Sequence, residues 1–135
     1  MANLVFVNRD PDYSDLDLDF LAHPATKDVV VKTGDDAIKR SIRNLVFTNY
    51  YERPFRSFIG SGVRQMLFEN ATPLTANYLS EMIRNVINNF EPRVSVLNVR
   101  VSVDEDRNGF NVELQYVIKN REQPVITNIF LERVR

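Results

Sequence analysis

Three glutamates lie beside aromatic or apolar residues in the helical half of the chain and are the candidates for acid–base chemistry: Glu52, Glu69 and Glu91. Hydrolysis of a glycosidic bond needs two carboxyl groups about 5–9.5 Å apart, one of them with a raised pKa. The sequence alone brings no two of these glutamates together. Glu91 stands just before Pro92 and Arg93 at the predicted end of a helix, a position more typical of a capping or ion-paired group.

Other catalytic chemistries lack the residues that they need. The 135 residues include no cysteine and a single histidine, His23, so thiol nucleophiles, disulfides and thiolate metal sites are excluded. A serine or threonine triad would depend on His23, which lies next to a proline in the N-terminal part. One histidine is also too few nitrogen ligands for a transition metal. We therefore predict a protein without catalytic residues, metal or other cofactor.

Composition excludes further classes of function. The net charge is −1 and charged residues are spread along the chain, which favours neither nucleic acid nor an anionic membrane as a partner. No apolar run approaches the roughly 20 residues that span a bilayer, and residues 1–9 lack the pattern of a signal peptide. The apolar share of 44% is ordinary for a globular protein, so we expect one soluble domain with a real core.

The candidate residues around Glu91 are positioned by a long helix predicted from Thr72 to about Phe90. Thr72 is a good N-cap and Pro73 suits the first helical position. Pro92 disfavours helical geometry in the residue before it, which ends the helix. Apolar residues recur at three- and four-residue spacing and predict one wide buried stripe: Leu74, Tyr78, Leu79, Met82, Ile83, Val86, Ile87 and Phe90.

A first helix is predicted from Asp35 to about Thr48. Its buried side is expected to consist of Ile38, Ile42, Leu45 and Val46. Asp35 and Lys39, like Asp36 and Arg40, have the i,i+4 spacing of acid–base pairs on a helix surface. Downstream, Gly60-Ser61-Gly62 permits a tight turn before a short helix over residues 64–69, and without a phosphate-loop lysine its use is steric.

After Arg93 the apolar period changes to two, which predicts strands. A phase slip near Leu97-Asn98 indicates a bulge, and Asn108-Gly109 is a hairpin turn signal. The next strands are residues 110–118 and 125–134. We predict an α+β fold in which helices pack on a small antiparallel sheet of about three C-terminal strands. Residues 1–34 form an extended N-terminal arm, and residues 35–135 form a single α+β domain.

The last strand is apolar on both faces. Val125, Ile129 and Leu131 lie on one face, and Ile126, Phe130 and Val134 lie on the other. Such a strand needs cover on both sides. As a terminal strand at a sheet edge, it could be completed by another chain, or it could be covered internally by residues 3–7 or 28–32; both possibilities stay open.

The arm contains an alternation of acidic and apolar residues over 15–20. An extended segment of this pattern places Leu16, Leu18 and Phe20 on one side and three carboxylates on the other. It either lies on its own domain or docks along a neighbouring subunit. A calcium loop is excluded, because Phe20 and Thr26 replace the required glycine and glutamate.

Five motifs follow one another in a fixed order along the chain: residues 36–45, Glu52-Arg53-Pro54-Phe55, Gly60-Ser61-Gly62, Leu67-Phe68-Glu69 and Glu91-Pro92-Arg93-Val94. In this order they resemble the GPW/gene product 25 family, the lysozyme-like baseplate wedge proteins of contractile phage tails, which are similar to a baseplate subunit of type VI secretion machines. The resemblance covers about residues 14–120. The chain departs from the family pattern at two local turns. Tyr51 stands where the family usually has glycine, and Thr26-Lys27-Asp28 stands where the family usually has Thr-Gly-Asp.

The resemblance implies a structural subunit of the virion's tail baseplate, assembled in the host cytoplasm in six copies. It would tie the wedge core to the first sheath ring, with other wedge proteins and the sheath protein as partners. The family's Glu-Pro-Arg motif, linked to baseplate contacts, carries over to Glu91, Pro92 and Arg93, and Arg93→Ala is expected to fold but to assemble poorly.

The family's sheet is similar to the strand-exchange module of the sheath, which implies that the last strand templates sheath assembly. Together with the arm, the partner-binding candidates are therefore Glu91, Pro92, Arg93, Val125, Ile126, Ile129, Phe130, Leu131, Leu16, Leu18 and Phe20. The alternatives are a peptidoglycan hydrolase of the tail, as the family's historical label implies, and a type VI secretion baseplate subunit.

Overall fold

The computed structural model describes residues 13–17, 19–119 and 121–134. Leu18 and residues 3–7, which entered the sequence predictions, lie outside this range. The elements in chain order are β1 (Ser14–Leu16), β2 (Val31–Thr33), α1 (Gly34–Phe47), α2 (Val63–Met66), α3 (Pro73–Phe90), β3 (Val94–Asp104), β4 (Gly109–Ile118) and β5 (Pro124–Glu132). They confirm the α+β class and the three-stranded C-terminal sheet. No helix in these ranges is both long and apolar enough to cross a membrane.

The structure forms two compact units, one up to Arg40 and the other from Ser41 onwards. In the first unit, β1 pairs antiparallel with β2, with Ser14 opposite Thr33. The expected long extended run is wrong, because β1 ends at Leu16 and Phe20 has a φ of 51°. The division into an arm of residues 1–34 and a domain of residues 35–135 stays a prediction.

The first unit places a carboxylate inward and the apolar residues outward. Asp17 is buried, and its carboxylate lies 3.6 Å from Lys32 Nζ and 3.8 Å from an Arg40 guanidinium nitrogen. Arg40 also binds Asp19 at 2.6 Å. The predicted Asp36–Arg40 pair is therefore wrong: Arg40 binds acids more than 20 residues away in sequence, which helix spacing could not reveal.

Helix α3 has the predicted termini. The Thr72 side chain accepts a hydrogen bond from the Thr75 amide, Pro73 occupies the first turn, and Glu91 follows the last helical residue. The predicted stripe is wrong at Leu74 and Tyr78, which are 63% and 53% exposed. At about 100° per residue, both lie on the side opposite the buried face, which consists of Thr75, Ala76, Leu79, Ile83, Val86 and Ile87.

The sheet of the second unit has the order β3-β4-β5, with both pairs antiparallel. The register of β3 on β4 shifts between Val96 and Asn98, which confirms the bulge. Asn108 has a φ of 49° in the turn before Gly109. Every second residue of β4 is buried, as the alternation predicted: Phe110, Val112, Leu114, Tyr116 and Ile118.

The Gly-Ser-Gly turn brings the chain back against the end of α1. A Cβ on Gly60 would lie 2.6 Å from the Asn49 backbone, so that position has no room for a side chain. The Ser61 amide donates to the Thr48 carbonyl at 2.7 Å, and its hydroxyl donates to the Val46 carbonyl at 2.6 Å. The role of Gly60 is therefore steric, as predicted. The helix that follows, α2, is shorter than the predicted residues 64–69 and ends at Met66.

Candidate partner-binding site

The Glu91-Pro92-Arg93 motif forms an internal ion pair at the junction of α3 and β3. Glu91 is only 2% exposed. Arg93 Nε donates to Glu91 Oε1 at 2.6 Å, and an Arg93 terminal nitrogen donates to Oε2 at 2.7 Å. This two-point contact matches the planar guanidinium fork to the carboxylate. The Ser41 hydroxyl donates to the same Oε2, so all three side chains form one cluster.

The cluster keeps Glu91 ionised. Burial by itself raises the pKa of the Glu91 carboxyl, but the hydrogen bonds from Arg93 and Ser41 and the positive charge of Arg93 outweigh it. The net result is a pKa below the ordinary value. A glycosidase acid needs the opposite shift, so Glu91 is poorly suited to donate a proton at neutral pH.

The other candidate acids do not join Glu91. Glu52 is exposed and its carboxylate accepts hydrogen bonds from the amide and side chain of Asn49. Glu69 is also exposed. Among the residues with described positions, no group of three or more histidine or acidic side chains could hold a metal ion.

Sequence reasoning missed Ser41, the third member of the cluster. It lies on α1, 50 residues before Glu91, and no local pattern marks it. Pro92 is exposed, whereas the Arg93 side chain is only 22% exposed. Of the three motif residues, Pro92 is thus the one that offers open surface, while Glu91 and Arg93 fix the turn that presents it.

Strand β5 buries one face and exposes the other. Ile129 and Leu131 are buried and Val125 is half-buried. Ile126 on the outer face is exposed, whereas Phe130 is partly covered by Arg107, whose guanidinium carbon lies 3.9 Å from the ring centroid. The apolar outer face is therefore smaller than the sequence indicated.

One edge of β5 has no strand partner in the part of the chain that the structure describes, where β4 is its sole hydrogen-bonded neighbour. The Arg133 amide donates to Asn108 on the β4 side, and the Val134 amide donates to Leu67. Because amides alternate in direction along a strand, the even-numbered residues of β5 point their N–H and C=O groups away from β4. Val31 and Lys32, which belong to the predicted internal cover of residues 28–32, pair with β1.

In the arm, Leu16 and Phe20 are 58% and 68% exposed. Leu18 lies outside the described residues. The carboxylate of Asp17 points the other way, into its ion pairs. Among the described residues, Leu16 and Phe20 are thus open to a partner, although β1 ends at Leu16.

A further feature escaped sequence reasoning. Tyr51 and Phe55 have φ values of 66° and 65°, a left-handed conformation that costs a bulky residue about 1–2 kcal/mol. Glycine adopts it readily, which explains the glycine usual in the resembling family at the Tyr51 position. The signal in the sequence was the density of aromatic residues around Pro54.

The sequence is similar to those of known baseplate proteins. A sequence model of the family "Baseplate wedge protein gp25" matches residues 32–123. The baseplate wedge protein gp25 of Enterobacteria phage T4 is 34% identical over 106 residues, which cover 78% of this chain and 80% of that protein.

Solved structures share the fold. The crystal structure of a protein assigned as a tail lysozyme of Geobacter sulfurreducens has a TM-score of 0.64 at 22% identity, covering 76% of this chain and 96% of that one. Chains of the anti-feeding prophage baseplate and of the post-contraction pyocin R2 baseplate give TM-scores of 0.63 and 0.54 at 20% and 17% identity. They cover 91% and 87% of this chain, and 87% and 98% of their own lengths. By its family match and its identity to the phage T4 protein, the chain belongs to the baseplate wedge protein gp25 family.

Proposed function

We propose that this protein is a structural subunit of a contractile tail baseplate, present in six copies, which ties the wedge core to the first sheath ring and templates sheath assembly through β5. The names of its relatives, a phage baseplate wedge protein and chains of two further baseplates, support a place in the baseplate. The observation that carries the templating role is the edge of β5 that has no strand partner among the described residues.

An unpaired strand edge offers a row of donors and acceptors to an added strand. On β5 these groups belong to even-numbered residues, and the middle of the row is Asn128, whose side chain is exposed and whose opposite residue on β4 is Glu113. The odd-numbered side chains anchor the strand in the core. Over the residues that the structure describes, the edge is therefore open and its strand is anchored, which suits a template.

Replacing Asn128 tests this edge without removing core residues, which a deletion of β5 would do. Asn128→Pro removes one outward N–H and no hydrogen bond to β4, because proline is tolerated on the solvent side of an edge strand. Asn128→Ala is the matched control, since it removes the side chain and keeps the N–H. We expect both variants to fold, by circular dichroism, and only the proline variant to yield baseplates that fail to polymerise sheath. Normal sheath on the folded proline variant would contradict the templating role.

The wedge contacts are assigned to Pro92, presented by the Glu91–Arg93 pair, and to the exposed Leu16 and Phe20 of the arm. Apolar side chains at an exposed fraction above one half add little to the fold but gain burial energy against another subunit. These residues therefore fit contacts with other wedge proteins.

The competing function is cell-wall hydrolysis, which the tail lysozyme assignment of one structural neighbour raises. The ionised, arginine-bound state of Glu91 disfavours it. Purified protein should release no product from peptidoglycan at acidic or neutral pH. An activity that disappears on replacement of Glu52, Glu69 or Glu91 by glutamine would support the hydrolase instead.

A further inference from the structure

Residues 50–58, here called the aromatic loop, expose four aromatic rings between α1 and the Gly-Ser-Gly turn. Phe55 is fully exposed, and the rings of Tyr51, Phe58 and Tyr50 are exposed to decreasing extents. Aromatic rings of this size are enriched at protein interfaces because they bury much area with few rotatable bonds. Nothing in the fold of the described residues uses the Phe55 ring.

The loop holds a fixed shape. The Tyr51 amide donates to the Ser57 carbonyl at 2.8 Å, closing its base. At its tip the Arg56 amide donates to the Arg53 carbonyl at 3.4 Å, with Pro54 and Phe55 in the central positions of the turn. A proline followed by a residue of positive φ is the arrangement of a type II turn. The rings are therefore presented in advance of binding, which lowers the entropy cost of association.

The backbone conformation indicates that the rings are kept for a purpose outside the fold. Tyr51 and Phe55 both occupy the left-handed region that glycine or asparagine would adopt with less strain. Neither ring gains burial in return. Bulky residues held in unfavourable backbone conformations concentrate at functional sites.

The charge of the loop indicates the kind of partner. Arg53 and Arg56 are exposed, and neither guanidinium has an ion pair among the described residues. The one acid of the loop, Glu52, is engaged with Asn49. The outward side of the loop is therefore apolar and positive, and it complements a surface that is apolar and negative.

The loop adjoins the candidate motif. The Phe58 ring lies 6.3 Å from the Phe90 ring, centroid to centroid. Phe90 in turn packs against the cluster of Leu45, Ile59 and Val86, and it directly precedes the Glu91-Pro92-Arg93 turn. The aromatic loop thus contacts the end of α3, two residues before Pro92 in the chain.

We propose that the aromatic loop docks into another baseplate protein, in an apolar pocket bordered by aspartate or glutamate, with Phe55 entering the pocket and Arg53 and Arg56 pairing with its rim. This inference rests on the proposed baseplate function and adds to it the position and chemistry of one contact.

The experiment uses the full chain in assembled tails, with the photo-reactive residue p-benzoylphenylalanine in place of Phe55. The same residue in place of Phe68, an exposed phenylalanine outside the loop, is the control. Crosslinked peptides are identified by mass spectrometry. We expect position 55 to give a much higher crosslink yield than position 68, and to crosslink to a segment of another baseplate protein that combines apolar residues with carboxylates.

The double variant Arg53→Glu with Arg56→Glu tests the charge pairing and should lower the crosslink yield from position 55 at least tenfold. The control is Arg64→Glu, which reverses the charge of an exposed arginine on α2 and should leave that yield unchanged.

Several results would overturn the proposal. One is a crosslink yield at position 55 no higher than at position 68 in tails that contain the chain. Another is a crosslinked segment that lacks carboxylates. Equal yield from the double charge reversal, with an unchanged melting temperature, would exclude the rim pairing. Binding of the loop to phosphatidylglycerol vesicles in place of a protein segment would assign it to a membrane instead. Absence of the unmodified chain from tails would overturn the baseplate function itself, and the loop contact with it.

Discussion

At the scale of single residues, the feature that matters most is a negative charge held inside the second unit. Glu91 is almost fully buried, and its carboxylate accepts three hydrogen bonds from Ser41 and Arg93. A buried carboxylate is tolerated only when it is paired and hydrogen-bonded. The motif first considered as a contact surface is therefore also a structural joint between α3 and β3.

Removing the arginine should destabilise the fold. Arg93→Ala leaves the Glu91 charge buried without its main partner, which typically costs about 3 kcal/mol. This replaces the sequence-based expectation of an intact fold. Urea unfolding of the isolated chain measures the change. Glu91→Gln combined with Arg93→Ala serves as the control and should recover part of the loss, because no charge is then buried. An Arg93→Ala variant as stable as the parent would contradict the structural role.

The low pKa of Glu91 predicts acid sensitivity. Because the folded-state pKa lies below the unfolded value of about 4.5, ionised Glu91 stabilises the fold fully above that value. The stabilisation is lost as the pH falls through the lower, folded-state pKa. Unfolding free energies between pH 6 and about pH 3 should therefore fall more steeply for the parent than for Glu91→Gln.

Asp104 is the control for this acid window. Its pKa is also low, first because its carboxylate accepts a hydrogen bond from the Arg107 amide and then from the side chain of Asn111. Asp104 is more open to solvent than Glu91, and solvent screens its interactions. Asp104→Asn should therefore change the pH dependence of the unfolding free energy less than Glu91→Gln does. A larger effect of Asp104→Asn would show that Asp104, and not Glu91, causes the acid sensitivity.

At the scale of elements, the turn between α1 and α2 depends on one glycine more than on the other. A methyl group at Gly60 would meet the Asn49 backbone at 2.6 Å, whereas one at Gly62 would meet the flexible end of Met82 at 2.7 Å. Gly60→Ala should therefore cost about 2 kcal/mol by overpacking, and Gly62→Ala clearly less. Thermal unfolding of the two variants measures the difference. Equal costs would show that the Asn49 backbone can move aside.

At the scale of the whole molecule, the first unit presents apolar residues whose removal should leave the fold intact. Leu16→Ser with Phe20→Ser removes exposed surface only, so the melting temperature should stay within about 2 °C of the parent. Incorporation of the variant into purified tails should fall. The contrasting variant is Asp17→Ala, which leaves Lys32 and Arg40 without their shared acid and should lower the melting temperature. Full incorporation of the double serine variant would exclude an arm contact.

The sequence by itself determined the local architecture of this protein. The cap at Thr72, the stop at Pro92, the bulge near Leu97 and the turn at Asn108-Gly109 depend on interactions within a few residues, and all four are present. The buried alternation of β4 followed from its strand period. The ordered motifs also indicated the family, which the family match over residues 32–123 confirms.

Only the tertiary structure decided which groups meet across the chain. Ser41 reaches Glu91 across 50 residues and Arg40 reaches Asp19 across 21, and nothing within a helical or strand period encodes such distances. The exposure of Leu74 and Tyr78 was decided by how α3 is rotated on the sheet, where the Ser80 hydroxyl donates to the Val99 carbonyl at 3.0 Å. Side-chain period fixes which residues share a face, but long-range packing selects the face that is buried.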